Sequence, residues 1–459
     1  MLFNSLNYLL IFLPICVLFF LLINKNGAVA KLWLIGCSLF FYTCWNPYYL
    51  ILFLSSIIIN YICSIFILDN STRHRRIILY TGITFNILLI GYYKYTDFLL
   101  NTATQLLSID PIRLDIILPL AISFFTFQQI AYLQDCYKGE IKQSNFIDYI
   151  LFISFFPQLI AGPIVQFKEI VPQFYVKQFK SHVWENILAG LVLLSFGLFK
   201  KVIIADFFSI WANMGFEAVQ SLNFISAWIT SLSYTFQLYF DFSGYTDMAL
   251  GAAMMFGIKL PQNFNSPYKA TSIQDFWRRW HITLGRFLKN YLYIPLGGNR
   301  KGKIRTCFNL LLVFFIAGIW HGAGWTFILW GICHGLALVV HRLWSNLNIK
   351  LNNTLNCCIT FLFVNFAWIL FRSNDLHDFN VIISKMIHPN LSLSKYYVLP
   401  IMSILVGFTI CLFAKNSNEY VDEKIYEKPL YIAIASITTF TALATIIIWN
   451  ANEFLYFQF

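Results

Sequence analysis

Apolar runs that approach the width of a bilayer recur from one end of this chain to the other, with little polar sequence between them. They lie at roughly 6–23, 32–45, 48–68, 77–93, 114–134, 187–205, 223–240, 307–321, 324–343, 355–371, 398–414 and 429–449. A crossing takes about 20 apolar residues. Lipid offers the backbone no hydrogen-bond partner, so such runs must be helices rather than isolated strands. Composition agrees: 58% of the residues are hydrophobic and 12% charged, about half the charged share of a soluble domain. The chain is therefore expected to be all-α, a polytopic integral membrane protein with roughly 11–13 membrane helices. The shortness of some runs adds re-entrant and interfacial helices, and 147–163, apolar but followed by Lys168, is expected to dip into the membrane and return.

The formal charge of +11 raises nucleic acid as a partner only if the cations cluster. They sit instead in short loops, where Lys and Arg mark the cytoplasmic side. Lys25 and Lys31 follow the first run, Arg73, Arg75 and Arg76 the third, and Lys138 and Lys142 the fifth, while the turn Asn46-Pro47-Tyr48 is uncharged. That alternation puts the N-terminus outside and excludes nucleic acid as the explanation. Ala28-Val29-Ala30 resembles a signal-peptidase site, but no basic residue precedes the apolar stretch, so Leu6 to Ile23 is expected to stay as the first span. The 10 cysteines lie mostly in apolar runs and show no zinc-ligand spacing, which makes them small core residues.

Residues 258–306 are the long polar interruption, expected as an amphipathic segment on the cytoplasmic side. Within it, Ser272-Ile273-Gln274-Asp275 resembles a capping box opening a helix over 273–291. At helical spacing Trp277, His281, Leu284, Gly285 and Leu288 share one face and Arg279, Arg286 and Lys289 another. Such a helix is interfacial by its amphipathicity, but a histidine among its apolar residues also admits a functional site. The second candidate is His321, in Gly318-Ile319-Trp320-His321-Gly322-Ala323-Gly324-Trp325. Glycines there let the chain turn and let a ligand approach. Burying an ionisable residue in a membrane is costly, which favours function; a histidine holding a kink through a neighbouring carbonyl is the alternative.

His334 and His341 fit packing or snorkelling. A metal site is not expected, because neither His-Glu-x-x-His nor supporting carboxylates are nearby. Gly297-Gly298-Asn299-Arg300-Lys301-Gly302-Lys303 nearly spells a phosphate loop, but Ile304 stands where the metal-binding hydroxyl belongs, which excludes nucleotide hydrolysis. Arg300, Lys301, Lys303 and Arg305 suit a cytoplasmic loop, or the phosphates of a coenzyme A donor. Asp241 and Asp247, in Asp241-Phe242-Ser243-Gly244-Tyr245-Thr246-Asp247, either orient a histidine or cap a following helix.

Together these segments resemble the membrane-bound O-acyltransferases, in the bacterial branch of alginate O-acetylase and peptidoglycan O-acetyltransferase. The resemblance is carried by Leu118 to Phe127, Phe156 to Ile164, Asp241 to Asp247, Asn263 to Tyr268, Trp277 to Thr283, Tyr293 to Asn299, Trp320 to Trp325 and the C-terminal Tyr456-Phe457-Gln458-Phe459. It implies one membrane domain over 1–459 in the bacterial inner membrane, with His321 and His281 as the catalytic histidines. Trp277, Arg278, Arg279, Asn265, Asp241 and Trp320 are then the donor-binding candidates. The implied donor is cytoplasmic acetyl-CoA and the acceptor an envelope polysaccharide, reached through a periplasmic partner transferase. A histidine at mid-depth, open to both sides, would let the acetyl group alone cross. Whether it acts as general base or as acyl carrier stays open. Two other classes fit the apolar pattern: a proton-coupled transporter or channel, and a non-catalytic scaffold of an export complex. The lack of an internal repeat speaks against the first.

Overall fold

The computed structural model describes residues 1–69, 71–175, 182–347, 349, 351–390, 394–449 and 454–455. Tyr456 to Phe459, carriers of part of the resemblance, lie outside the described residues. The protein is 77% helical, and no strand occurs among the described residues, so the fold is all-α. Eight described helices are long and apolar enough to cross a membrane: Tyr48–Leu68, Arg75–Leu107, Val183–Glu217, Lys303–His321, Trp325–Ser345, Asn353–Arg372, Lys395–Phe413 and Pro429–Trp449. Two shorter apolar helices, Asn7–Ile23 and Gly27–Thr43, and the long Phe224–Met255 stand where further spans were expected. Large apolar side chains such as Leu22, Ile51, Leu88, Val340 and Phe440 are exposed on these helices, as a lipid-facing surface requires.

The chain divides into two compact units. The first comprises Met1–Phe196, Tyr245–Pro261 and 424–449. Its helices Tyr48–Leu68, Arg75–Ile90 and Ile122–Tyr137 share a seam of amides: Asn60 Nδ2 and Ser56 Oγ both donate to Gln129 Oε1 at 2.8 Å, and Asn86 Nδ2 donates to Asn60 Oδ1 at 2.7 Å. Bonds of this kind hold helices together where burying apolar surface brings no gain. One expectation changes here, and a second segment takes its form. The run 114–134 is helical only from Ile122; Pro111 and Pro119 interrupt what precedes it, and Ala121 enters the helix with φ 62°. Residues 147–163 form the short helices Phe146–Ser154 and Phe156–Leu159 with nearly every side chain buried within this unit. Protein covers their apolar side chains, as a non-spanning segment at membrane depth would require.

The second unit comprises Gly197–Gly244 and Gln262–Glu423, with Phe454 and Leu455. At its centre the Lys303–His321 and Trp325–Ser345 helices touch backbone to backbone. A Cβ added at Gly318 would lie 2.4 Å from Phe327 O, and one at Gly331 2.3 Å from Phe314 O. No side chain fits at either position. Small residues of this kind are how membrane helices approach closely.

The expected helix over 273–291 is broken. Ser272 does cap its start, accepting from Asp275 N at 3.1 Å; Asp275 turns back to Thr271 N at 3.3 Å rather than to Ser272. But the helix stops at Arg279, His281 adopts φ 44°, and a second helix runs over Ile282–Leu288. Asn263 makes the break possible. Its carbonyl takes Ile282 N at 3.0 Å and its side-chain oxygen takes Thr283 N at 3.2 Å. These are N–H groups that a helix start leaves without internal partners.

Candidate active site

His321 closes the Lys303–His321 helix, with Gly322 extended behind it. A Cβ at Gly322 would fall 2.2 Å from the Phe327 ring, so that glycine is required by packing. The imidazole is 4% exposed and walled by rings: Trp320 at 4.9 Å, Trp330 at 5.0 Å and Phe371 at 5.2 Å between centroids. His281, fully buried, meets the same wall, its ring 6.3 Å from Trp320 and 4.8 Å from Phe242. The two histidines thus contact one tryptophan, within one unit.

The state of His281 follows from its partner. Asn263 Oδ1 accepts from Thr283 N, from Thr283 Oγ1 at 2.8 Å and from His281 Nδ1 at 3.1 Å. An oxygen that already receives two donors is a carbonyl oxygen, so Nδ1 carries hydrogen and the neutral imidazole keeps its lone pair on Nε2. Burial pushes the His281 pKa down from 6.5 to about 3. The neutral form is held across the physiological range, so the ring presents a lone pair at Nε2 rather than a proton. The sign for stability follows. The unfolded chain protonates at this residue below pH 6.5 and the folded one does not, so stability falls with pH below that value. Melting of the detergent-solubilised protein between pH 8 and pH 5 is expected to show this loss, and His281→Gln to show less of it; parallel profiles would remove His281 as the cause.

Trp277 is half-buried, and its Nε1 donates to His334 Nδ1 at 3.2 Å. Trp320 is in ring contact with both histidines. The remaining expected residues divide. Arg278 and Asn265 are exposed. Arg279 Nε is held by both oxygens of Asp275 at 3.0 Å, which spends much of its charge inside the segment. Asp241 neither caps a helix nor meets a histidine. It sits inside the Phe224–Met255 helix, buried, with Oδ1 2.7 Å from Lys201 Nζ and Oδ2 accepting Leu455 N at 3.0 Å. Lys201 also holds Asp206 at 2.7 Å. Sequence reasoning gave no role of its own to Asn263 and passed over Lys201, whose only local signal is a lysine at the edge of an apolar run. No group of three or more metal-ligating side chains is assembled among the described residues.

A family model for the membrane-bound O-acyltransferases matches residues 15–374, most of the chain and all of the elements carrying the two histidines. The chain belongs to the membrane-bound O-acyltransferase family. As such it is a multi-pass membrane acyltransferase. It is 46% identical to a peptidoglycan O-acetyltransferase of Helicobacter pylori, over 92% of this chain and 83% of that protein. It is 38% identical to a probable alginate O-acetylase of Pseudomonas aeruginosa, over 82% of this chain and 73% of that protein. A teichoic acid D-alanyltransferase of Bacillus subtilis is 27% identical over 56% of this chain and 69% of its own length. The names of these relatives differ in the acyl group and the acceptor they state.

Proposed function

We propose that this protein moves an acetyl group from cytoplasmic acetyl-CoA to a hydroxyl destined for a cell-envelope polysaccharide, from within the bacterial inner membrane. His321 is the reacting base. The observation that carries the reading is the pair of buried histidines in contact with Trp320, one of them held neutral with a fixed tautomer. The names of the relatives at 46% and 38% identity supply the acetyl group and the choice between peptidoglycan and an alginate-like polymer; a periplasmic partner transferase completes delivery.

The chemistry balances on His321. Its imidazole takes the proton of the acceptor hydroxyl as the oxygen attacks the thioester carbonyl. The tetrahedral oxyanion collapses, the carbon–sulfur bond breaks, and the leaving thiolate takes the proton from the imidazolium. His281 Nε2 accepts a hydrogen bond that orients the donor. Asp241 acts at one remove: paired with Lys201, it anchors the helix that carries Phe242, on whose ring His281 packs. Trp277 and Trp320 wall the donor, while Arg278, Arg279 and Asn265 lie towards its entry.

Charge supports the direction of entry. Arg300, Lys301, Lys303 and Arg305 are exposed at the start of the helix that ends in His321. Cations in a short loop mark the cytoplasmic side, and they attract an anionic donor there. The 19 residues of that helix carry His321 about 28 Å along its axis, nearly the width of a hydrocarbon layer, so the reacting site stands far from the cations that the donor first meets. The test uses purified protein in proteoliposomes with acetyl-CoA labelled in the acetyl group. Time-dependent release of CoA together with labelled ester supports the reading. No turnover by folded protein, with proton or solute flux instead, would favour a transporter.

A further inference from the structure

One turn apart on the Trp325–Ser345 helix, Trp330 and His334 are both completely buried. An indole nitrogen can donate but not accept. The bond from Trp277 Nε1 therefore makes His334 Nδ1 the acceptor, and the imidazole must carry its hydrogen on Nε2. That leaves two N–H groups, Trp330 Nε1 and His334 Nε2, with no acceptor among the described residues. Their rings are 4.7 Å apart, and Trp330 stands 5.0 Å from His321. The other neighbours are rings: Phe363 lies 5.2 Å from His334, and Phe371 5.3 Å from Trp330. N–H contacts with aromatic rings return only part of a hydrogen bond. A buried donor without an acceptor costs roughly 1–3 kcal/mol. Two such donors on one helix face, beside the reacting histidine, need an account beyond packing.

We propose that Trp330 and His334 receive the carbonyl oxygen of the acyl thioester and hold the oxyanion that forms when the acceptor attacks. This rests on the acyl-transfer reading of His321. The oxygen gains negative charge only during reaction, so donors already fixed on the helix favour the transition state over the bound donor. Trp277 then has a defined part: by donating to Nδ1 it keeps the His334 hydrogen on Nε2. His334 is thereby distinguished from His321, which exchanges a proton, and from His281, which presents a lone pair.

The experiment uses the full chain in nanodiscs and acetyl-CoA carrying carbon-13 at the acetyl carbonyl. Infrared difference spectra read that carbonyl alone, apart from the two amides of the pantetheine arm. The expected result is a band shifted to lower frequency in the wild type and restored towards the free value in His334→Phe. The kcat of this variant should fall about a hundredfold, with KM little changed. His334→Gln keeps an N–H near the same place and should recover part of both signals. Equal kcat in wild type and His334→Phe, or equal loss in the Phe and Gln variants, would overturn the proposal. An unshifted carbonyl band in active wild type would also overturn it, by placing the donors on another oxygen such as a pantetheine amide. Failure of the wild type to turn over acetyl-CoA would remove the broader reading and this one together, which separates the two kinds of failure.

Discussion

Replacing His321 by alanine is expected to abolish envelope acetylation while leaving the protein in the membrane. The imidazole is the proton acceptor of the proposed reaction, and removing a positioned general base costs about 10²–10⁴ in rate. The substitution removes a ring from an aromatic wall at a helix end and does not disturb the Gly318–Gly331 contact that joins the two helices, so folding should survive. The measurement is ester-linked acetate released by mild base from purified envelope polysaccharides, in a strain lacking its own copy of the gene. Wild type and His321→Ala are compared at matched membrane levels. Acetate with the wild type alone supports catalysis, and the fraction that carries it names the acceptor. Equal acetate with both would leave His321 as a residue that ends a helix, and a scaffold role would then gain ground.

The second large effect is expected at Lys201, through folding. Its ammonium lies between Asp206 and Asp241, both at 2.7 Å, and is itself buried. Lys201→Met would leave two carboxylates without their cation inside an apolar span, and breaking a buried pair in this way costs about 3–5 kcal/mol. The variant should accumulate poorly and melt well below the wild type by fluorescence-detected size exclusion. Lys201→Met combined with Asp241→Asn should recover part of the loss, because one stranded charge is gone. If the single variant melts like the wild type, water or lipid headgroups reach these carboxylates, and the ion cluster is not what holds this part of the unit together.

What the sequence determined by itself was whatever local pattern encodes. Apolar runs at bilayer length select helices in lipid, glycines around His321 announce a break where a buried ring meets close neighbours, and Ser272 spells a helix start that the structure keeps. The family, too, was legible, because its signature residues are contiguous stretches. The tertiary structure decided everything that depends on partners distant in the chain. A run of residues at helical spacing over 273–291 holds no sign that Asn263, 18 residues before His281, will bond the restarted helix and fix the imidazole tautomer. Asp241 sits beside Ser243 and Gly244, a neighbourhood that suits a cap, yet its carboxylate is claimed by Lys201. Residues 147–163 are as apolar as a span, and only packing shows that protein covers them. His334 gave no signal beyond its type; its hydrogen is placed by an indole 57 residues away in the chain. Periodicity records which face of a helix avoids water or meets lipid. It does not record which single atom on another helix completes a hydrogen bond, and in this protein those atoms set the charge and direction of each histidine.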